Sequence, residues 1–225
     1  PSGDEPTGVD ATTHLDPDNG VYRPIKSNDS LSTSNEVTNY CKPTPFTKTF
    51  AGDNYVHGDA NAPVEMVWFN DFQGPYCHKF WKETLNTLDN EYVSKGLLKI
   101  IIRDFPLEFH PQAQQASEAA ECAGAQGNYW EYANGLFADQ PKFSDNGFFT
   151  GLAKDLGLNT TNFNNCLAEG TYAQEVQKDS QDGEKLGIQG TPGFLINGEI
   201  VSGAQPYSVF KETIDAQLDN LCIKH

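Results

Sequence analysis

The sequence predicts an α/β fold in which a strand–helix–strand half and a strand–strand–helix half flank an inserted block of helices. Three observations carry that reading. Two apolar runs, Pro63–Phe69 and Leu97–Ile102, bracket a segment with helical periodicity. From Pro111 to about Gly187 the pattern is helical throughout. Beyond Gly187 come two short strands and a closing amphipathic segment. The chain has 225 residues, 37% of them hydrophobic, which is enough for one large domain or two small ones with a packed core.

Residues 1–49 are rich in Pro, Gly, Ser and Asn, with few large apolar side chains. They read as an extended leader with little regular structure, suited to a linker or to a tether joined to a membrane segment outside this sequence. No charged and then apolar export signal opens the chain, so the start at Pro1 reads as trimmed. Order is expected from Phe50. Val64-Glu65-Met66-Val67-Trp68-Phe69 is a buried-strand run. Gly74-Pro75 signals a turn with proline at the first helical position. Cys77, Trp81, Leu85, Leu88 and Tyr92 then recur at helical spacing, and Lys95-Gly96 stops the helix. Leu97–Ile102 is the second strand. Helices are expected over Ala113–Ala125, Tyr129–Phe137, Phe148–Leu156, Thr161–Leu167 and Tyr172–Leu186. Gly193–Ile196 and Ile200–Val201 form a hairpin around Asn197-Gly198, a type I′ signal, and Ser208–Leu221 closes the fold.

Charge and apolar runs exclude several classes. Asp and Glu number 31 against 15 Lys and Arg, a formal net charge of −16, which repels phosphate backbones and anionic lipid. The acid excess reads as solubility, in keeping with a saline setting. No apolar run approaches the roughly 20 residues of a membrane span. Cys41, Cys77, Cys122, Cys166 and Cys222 form no zinc-type or haem-type pairs. In a reducing compartment they are inert thiols; in an oxidising one four pair and one is left over, with the pairing open. The sequons Asn28-Asp-Ser30 and Asn159-Thr-Thr161 fit an exported chain.

Several ordered motifs now carry a resemblance. Asp71-Phe72-Gln73-Gly74-Pro75-Tyr76-Cys77 resembles the active-site segment of the DsbA-like thiol–disulfide oxidoreductases, which carry Cys-Pro-x-Cys there. Gly190-Thr191-Pro192 followed by Phe194–Gly198 resembles their cis-proline loop and hairpin. Arg103–Pro111 is similar to the segment leading into their helical insertion. The resemblance spans about residues 50–220 and implies a thioredoxin fold with an inserted helical domain. Residues 50–110 and 188–225 would form the thioredoxin-like domain, and 111–187 the insertion.

The departure from that family matters as much as the match. Gly74 stands where the family has its first, nucleophilic cysteine. A single cysteine cannot store two electrons as an internal disulfide, so ordinary oxidase turnover is not available at this site. Six positions before Gly74, where relatives can carry an acid, this chain has Trp68. Cys77 is therefore the candidate catalytic residue. The resemblance offers Gly74, Pro75, Tyr76, Thr191 and Pro192 as substrate-binding positions.

Three functional readings follow, beside a bland one in which Cys77 is a buried cysteine of a retired site. Cys77 acts as a monothiol in mixed-disulfide exchange or isomerisation with protein or peptide thiols, needing no cofactor. Alternatively Cys77 binds copper or zinc, helped by His78 or by a second copy in a homodimer; neighbours on a helix point about 100° apart, so one chain chelates poorly. Or the site is silent and the groove beside Pro192 binds peptides as a chaperone module. His110 reads as a surface or helix-capping histidine. His14, His57 and His225 have no partner at metal-ligand spacing. From the resemblance, Cys122 pairs with Cys166; Cys41 and Cys222 then remain to tie the leader to the last helix. Such bridges place the chain outside the cytoplasm, in a periplasmic-type or secreted setting.

Overall fold

The computed structural model describes residues 55–225 and, of the N-terminal stretch, only the backbone of two short strands. Two compact units separate, Pro1–Asn39 and Tyr40–His225. In the first, β1 (Thr13–Leu15) and β2 (Tyr22–Pro24) pair antiparallel. Pairing of this kind was not expected from so polar a stretch. The rest of the leader lies outside the described residues.

The second unit is built on one sheet of order β3-β5-β4-β6-β7. β4 (Val64–Asn70) and β5 (Leu98–Asp104) run parallel, with Val64 opposite Leu98 and Asn70 opposite Asp104. β6 (Gly193–Ile196) lies antiparallel on the other side of β4, and β7 (Glu199–Ser202) pairs with β6. Asn197 and Gly198 both adopt positive φ, 46° and 88°, as a type I′ turn requires. The edge strand β3 (Val56–His57) was not expected, because two residues carry no period.

β4 is buried along its whole length, so its side chains sort by alternation. Val64, Met66 and Trp68 join the larger core with Phe80, Leu88, Tyr132, Phe137 and Phe210. Val67 and Phe69 face the opposite way, with Phe105, Ile188 and Leu195. Trp68 stacks on Phe137 with centroids 5.4 Å apart and meets Phe80 edge-on at 4.7 Å. That aromatic floor lies directly beneath the candidate site.

The expected first helix is one continuous rod with two wider turns. α1 (Pro75–Phe80) passes into a π-helical turn at Trp81–Leu85, then α2 (Asn86–Leu88), then a second π turn at Asp89–Val93. The stripe residues Cys77, Trp81 and Leu85 are spaced by four, more than the 3.6 of an α-helix. The wider turns keep such a stripe from rotating off the core.

The insertion holds α3 (Ala113–Gly124), α4 (Tyr129–Ala138), α5 (Phe148–Asp155), α6 (Thr160–Ala168) and α7 (Ala173–Lys185), and α8 (Tyr207–Asn220) closes the fold. Each expected helix is present, with ends shifted by a residue or so. The Asn159 side chain accepts the Asn162 N–H at 3.0 Å and caps α6. Cys122 on α3 is bonded to Cys166 on α6, with Cα atoms 5.9 Å apart. Cys222 is also disulfide-bonded, and Cys41, its expected partner, lies outside the described residues.

Candidate active site

Gly74 caps α1 in an extended conformation, φ −67° and ψ 124°, with Pro75 at the first helical position. The helix start leaves Pro75 and Tyr76 facing solvent, Tyr76 being 64% exposed, while Cys77 turns inward onto the aromatic floor. Cys77 is the free cysteine among the described residues, and it is fully buried. Around its sulfur stand three donors. The Asp71 backbone N–H donates to Sγ at 3.4 Å. The Thr191 hydroxyl and the Trp68 indole N–H, neither bonded elsewhere, also favour its thiolate. Burial outweighs them: it pushes the Cys77 thiol up to about 12. Enclosed in this way the group is held as a thiol at neutral pH, the weaker nucleophile of its two forms.

The Thr191–Pro192 peptide is cis, as the resemblance implied, and Thr191 faces the sulfur. Beside it a groove of about 290 Å³ is lined by Ile188, Gly190, Thr191, Pro192, Ser202 and Gly203. Gly74 completes the arrangement. A Cβ placed there would lie 3.5 Å from Cys77 Sγ and 3.1 Å from the Asp71 carbonyl oxygen. Cys77, Gly74, Thr191 and Pro192 are thus brought together, with Pro75 and Tyr76 on the rim.

His78 goes elsewhere. Its ring stacks on Trp81, with centroids 5.6 Å apart. Among the described residues no group of three or more His, Cys, Asp or Glu side chains could hold a metal ion. This geometry gives the copper or zinc reading no support.

His110 corrects the sequence reading. It is only partly exposed, and its side chain is held inward at Nδ1, which lies 2.7 Å from Oδ2 of the buried Asp71. Asp71 also accepts the backbone N–H groups of Gln73 at 2.8 Å and Leu107 at 3.0 Å. Position 68 indeed supplies no carboxylate, but Asp71, three residues before Gly74, brings one against the site. The sequence showed Asp71 and His110 inside two recognisable motifs, and no spacing rule joined them. Two glutamines complete the clamp on this loop. Gln73 Oε1 accepts the Gln112 N–H at 2.7 Å, and Gln140 donates to the carbonyls of Phe72 and Gly74.

Comparison with known proteins agrees with this geometry. Residues 51–216 match the thioredoxin family. Disulfide bond formation protein D of Bacillus subtilis is 29% identical over 171 residues, 72% of this chain and 76% of that protein. Na(+)/H(+) antiporter NhaA 1 of Salinispora arenicola is 33% identical over 146 residues, 64% of this chain. The chain spans only about a fifth of that antiporter's length, 22%. The crystal structure of oxidised BdbD from Bacillus subtilis superposes with a TM-score of 0.68 at 27% identity, covering 74% of this chain and 93% of that one. Wolbachia pipientis alpha-DsbA1, at 21% identity, shares the fold with a TM-score of 0.69 over 77% of this chain and 94% of its own. With a single sulfur set against a cis-proline loop on this scaffold, the chain belongs to the thioredoxin family, as a DsbA-like member with the helical insertion.

Proposed function

We propose that this chain is an extracytoplasmic thiol–disulfide exchange protein of the isomerase or mixed-disulfide type, working through Cys77 alone. The observation that supports it most directly is the free Cys77 sulfur beside the cis Thr191–Pro192 peptide, with a side chain missing at Gly74. A client disulfide approaching along the Pro192 groove would place one sulfur where the family's first cysteine stands. Gly74, Pro75 and Tyr76 would border it on the helix side, Thr191 and Pro192 on the loop side.

The steps balance without an added oxidant. The Cys77 thiolate attacks one sulfur of the client disulfide; the other leaves as a thiolate and takes up the proton. A second thiol of the client, or a small thiol, then attacks the mixed disulfide and releases Cys77. Bonds are rearranged, and no net oxidation occurs. The Cys122–Cys166 bridge supports a compartment in which disulfides persist. Residues 1–49 would serve as the tether, and the antiporter relatives, in which the similar segment is part of a longer protein, fit a site at a membrane face.

Incubation with a scrambled disulfide-bonded client tests the proposal. Wild type should restore native pairing, and Cys77→Ala should lose at least about tenfold of that rate; equal rates would end the exchange reading. The enclosure of Cys77 favours one second reading, a redox-silent peptide-binding module using the same groove. Client binding that survives Cys77→Ser, with no exchange in wild type, would select it.

A further inference from the structure

Asp71 and His110 take no part in the steps above, yet Asp71 is built against the Cys77 sulfur and His110 against Asp71. The Asp71 carboxylate is enclosed and hydrogen-bonded to two backbone N–H groups and to His110. His110 reaches outward, its side chain 18% exposed, so the pair runs from solvent to the buried loop. Asp71 meets Cys77 from its other side. Its N–H holds Sγ at 3.4 Å. Its Cβ and that sulfur lie 3.4 and 3.5 Å from the one point a side chain on Gly74 would occupy. Of the groups facing the sulfur, Trp68 on β4 and Thr191 on the proline loop are uncharged; Asp71 alone carries charge, and it disfavours a thiolate. His110 itself is faced by Asp71 and by the Phe109 ring, 4.5 Å away.

We propose that His110, acting through Asp71, is a positioning residue that sets how readily Cys77 ionises. A charged His110 neutralises Asp71 and eases thiolate formation; a neutral one leaves the carboxylate standing against the sulfur. Because a charged His110 favours the thiolate and a neutral one does not, reactivity follows the state of the Asp71–His110 pair as well as that of the thiol. This inference rests on Cys77 being the reacting thiol.

The test is the rate at which methyl methanethiosulfonate modifies Cys77 in the full chain, located by mass spectrometry, between pH 5 and 9. Cys77 displaces methanesulfinate from the reagent and gains a methylthio group, so the rate follows the thiolate fraction. In wild type the logarithm of the rate should climb with a slope below one over part of that range. In Asp71→Asn and in His110→Gln, which keeps a donor, the slope should return to one. Asp71→Asn should react about tenfold faster than wild type at pH 8, as expected for removing a charge a few ångströms from the sulfur. His110→Gln should react about tenfold slower at pH 5.5 and equally at pH 9. Simple loosening of the loop would instead speed both variants at every pH, and that result, or a unit slope in wild type, overturns the inference. If a variant fails to fold, the wild-type slope still decides. Normal slopes with working exchange would remove this inference alone. The expected slopes without exchange would remove the exchange reading alone. A Cys77 that never reacts would remove both.

Discussion

Gly74 decides which chemistry is open to this chain. Its backbone sits in a region any L-residue adopts, φ −67°, so the glycine is not demanded by conformation. A Cβ there would press on the Asp71 carbonyl oxygen at 3.1 Å, a contact relieved by a shift of a few tenths of an ångström. Gly74→Cys should therefore fold and set a second sulfur within bonding reach of Cys77. The expected outcome is an internal disulfide after mild oxidation, read as the loss of two titratable thiols, with net oxidation of a reduced peptide dithiol appearing where wild type shows none. A variant that keeps both thiols free under glutathione disulfide would show that residues 74 and 77 are not placed as described. The same scale explains why the Cys77 thiol resists ionisation: it is enclosed away from solvent, and burial outweighs the groups that favour its thiolate.

The helical insertion is held by a bridge between elements that share a small-residue seam. Ala116, Ala119, Ala120 and Ala123 are buried along α3, which lets the helix approach its neighbours closely, and Cys122 lies in the same stretch. The Cys122–Cys166 bridge closes a loop with a sequence separation of 44. In the chain-entropy account a loop of that size contributes on the order of 4 kcal/mol. The double variant Cys122→Ala/Cys166→Ala should lose about that much in a urea titration; a loss below about 1 kcal/mol would mean that α3 and α6 are held by packing alone. The bridge takes no part in the exchange steps, so exchange measured well below the new midpoint should be unaffected.

Across the whole molecule, the sheet and the insertion meet over buried carboxylates. Asp104 ends β5, Glu121 lies on α3 and Asp179 on α7, with Arg103 paired to Asp179. Burial raises all three acids: Asp104 to about 8, Glu121 to about 10 and Asp179 to about 6, with their mutual repulsion adding to it for Asp104 and Glu121. The sign follows directly. A carboxyl whose folded value lies above its unfolded value near 4 stabilises the fold fully below that value and loses this as pH rises. Stability should thus decline from about pH 5 towards pH 9. Asp182 and Asp215, held below the ordinary range by lysines, act in the opposite sense below pH 4. Glu121→Gln should be more stable than wild type at pH 9 by several kcal/mol, and nearly equal to it at pH 4. A thermal-melting series across that range checks it; parallel curves would mean that the joint does not carry protonated acids.

The strands, the helical block and the Asn197-Gly198 hairpin were legible in the sequence because each is a local matter of period and turn chemistry. Cys77 was legible as well, because a gap in a recognisable four-residue motif is visible without coordinates. The wide turns after α1, the two-residue β3 and the clamp on the site loop were not. His110 lies 39 positions from Asp71, and Gln140 lies 66 from Gly74, separations that no periodicity joins. Residue types alone determined that one sulfur must work without an internal partner. Only tertiary packing decided that it is enclosed, which donors surround it and which charge stands beside it, because solvent exclusion and Coulomb interactions depend on distances in space.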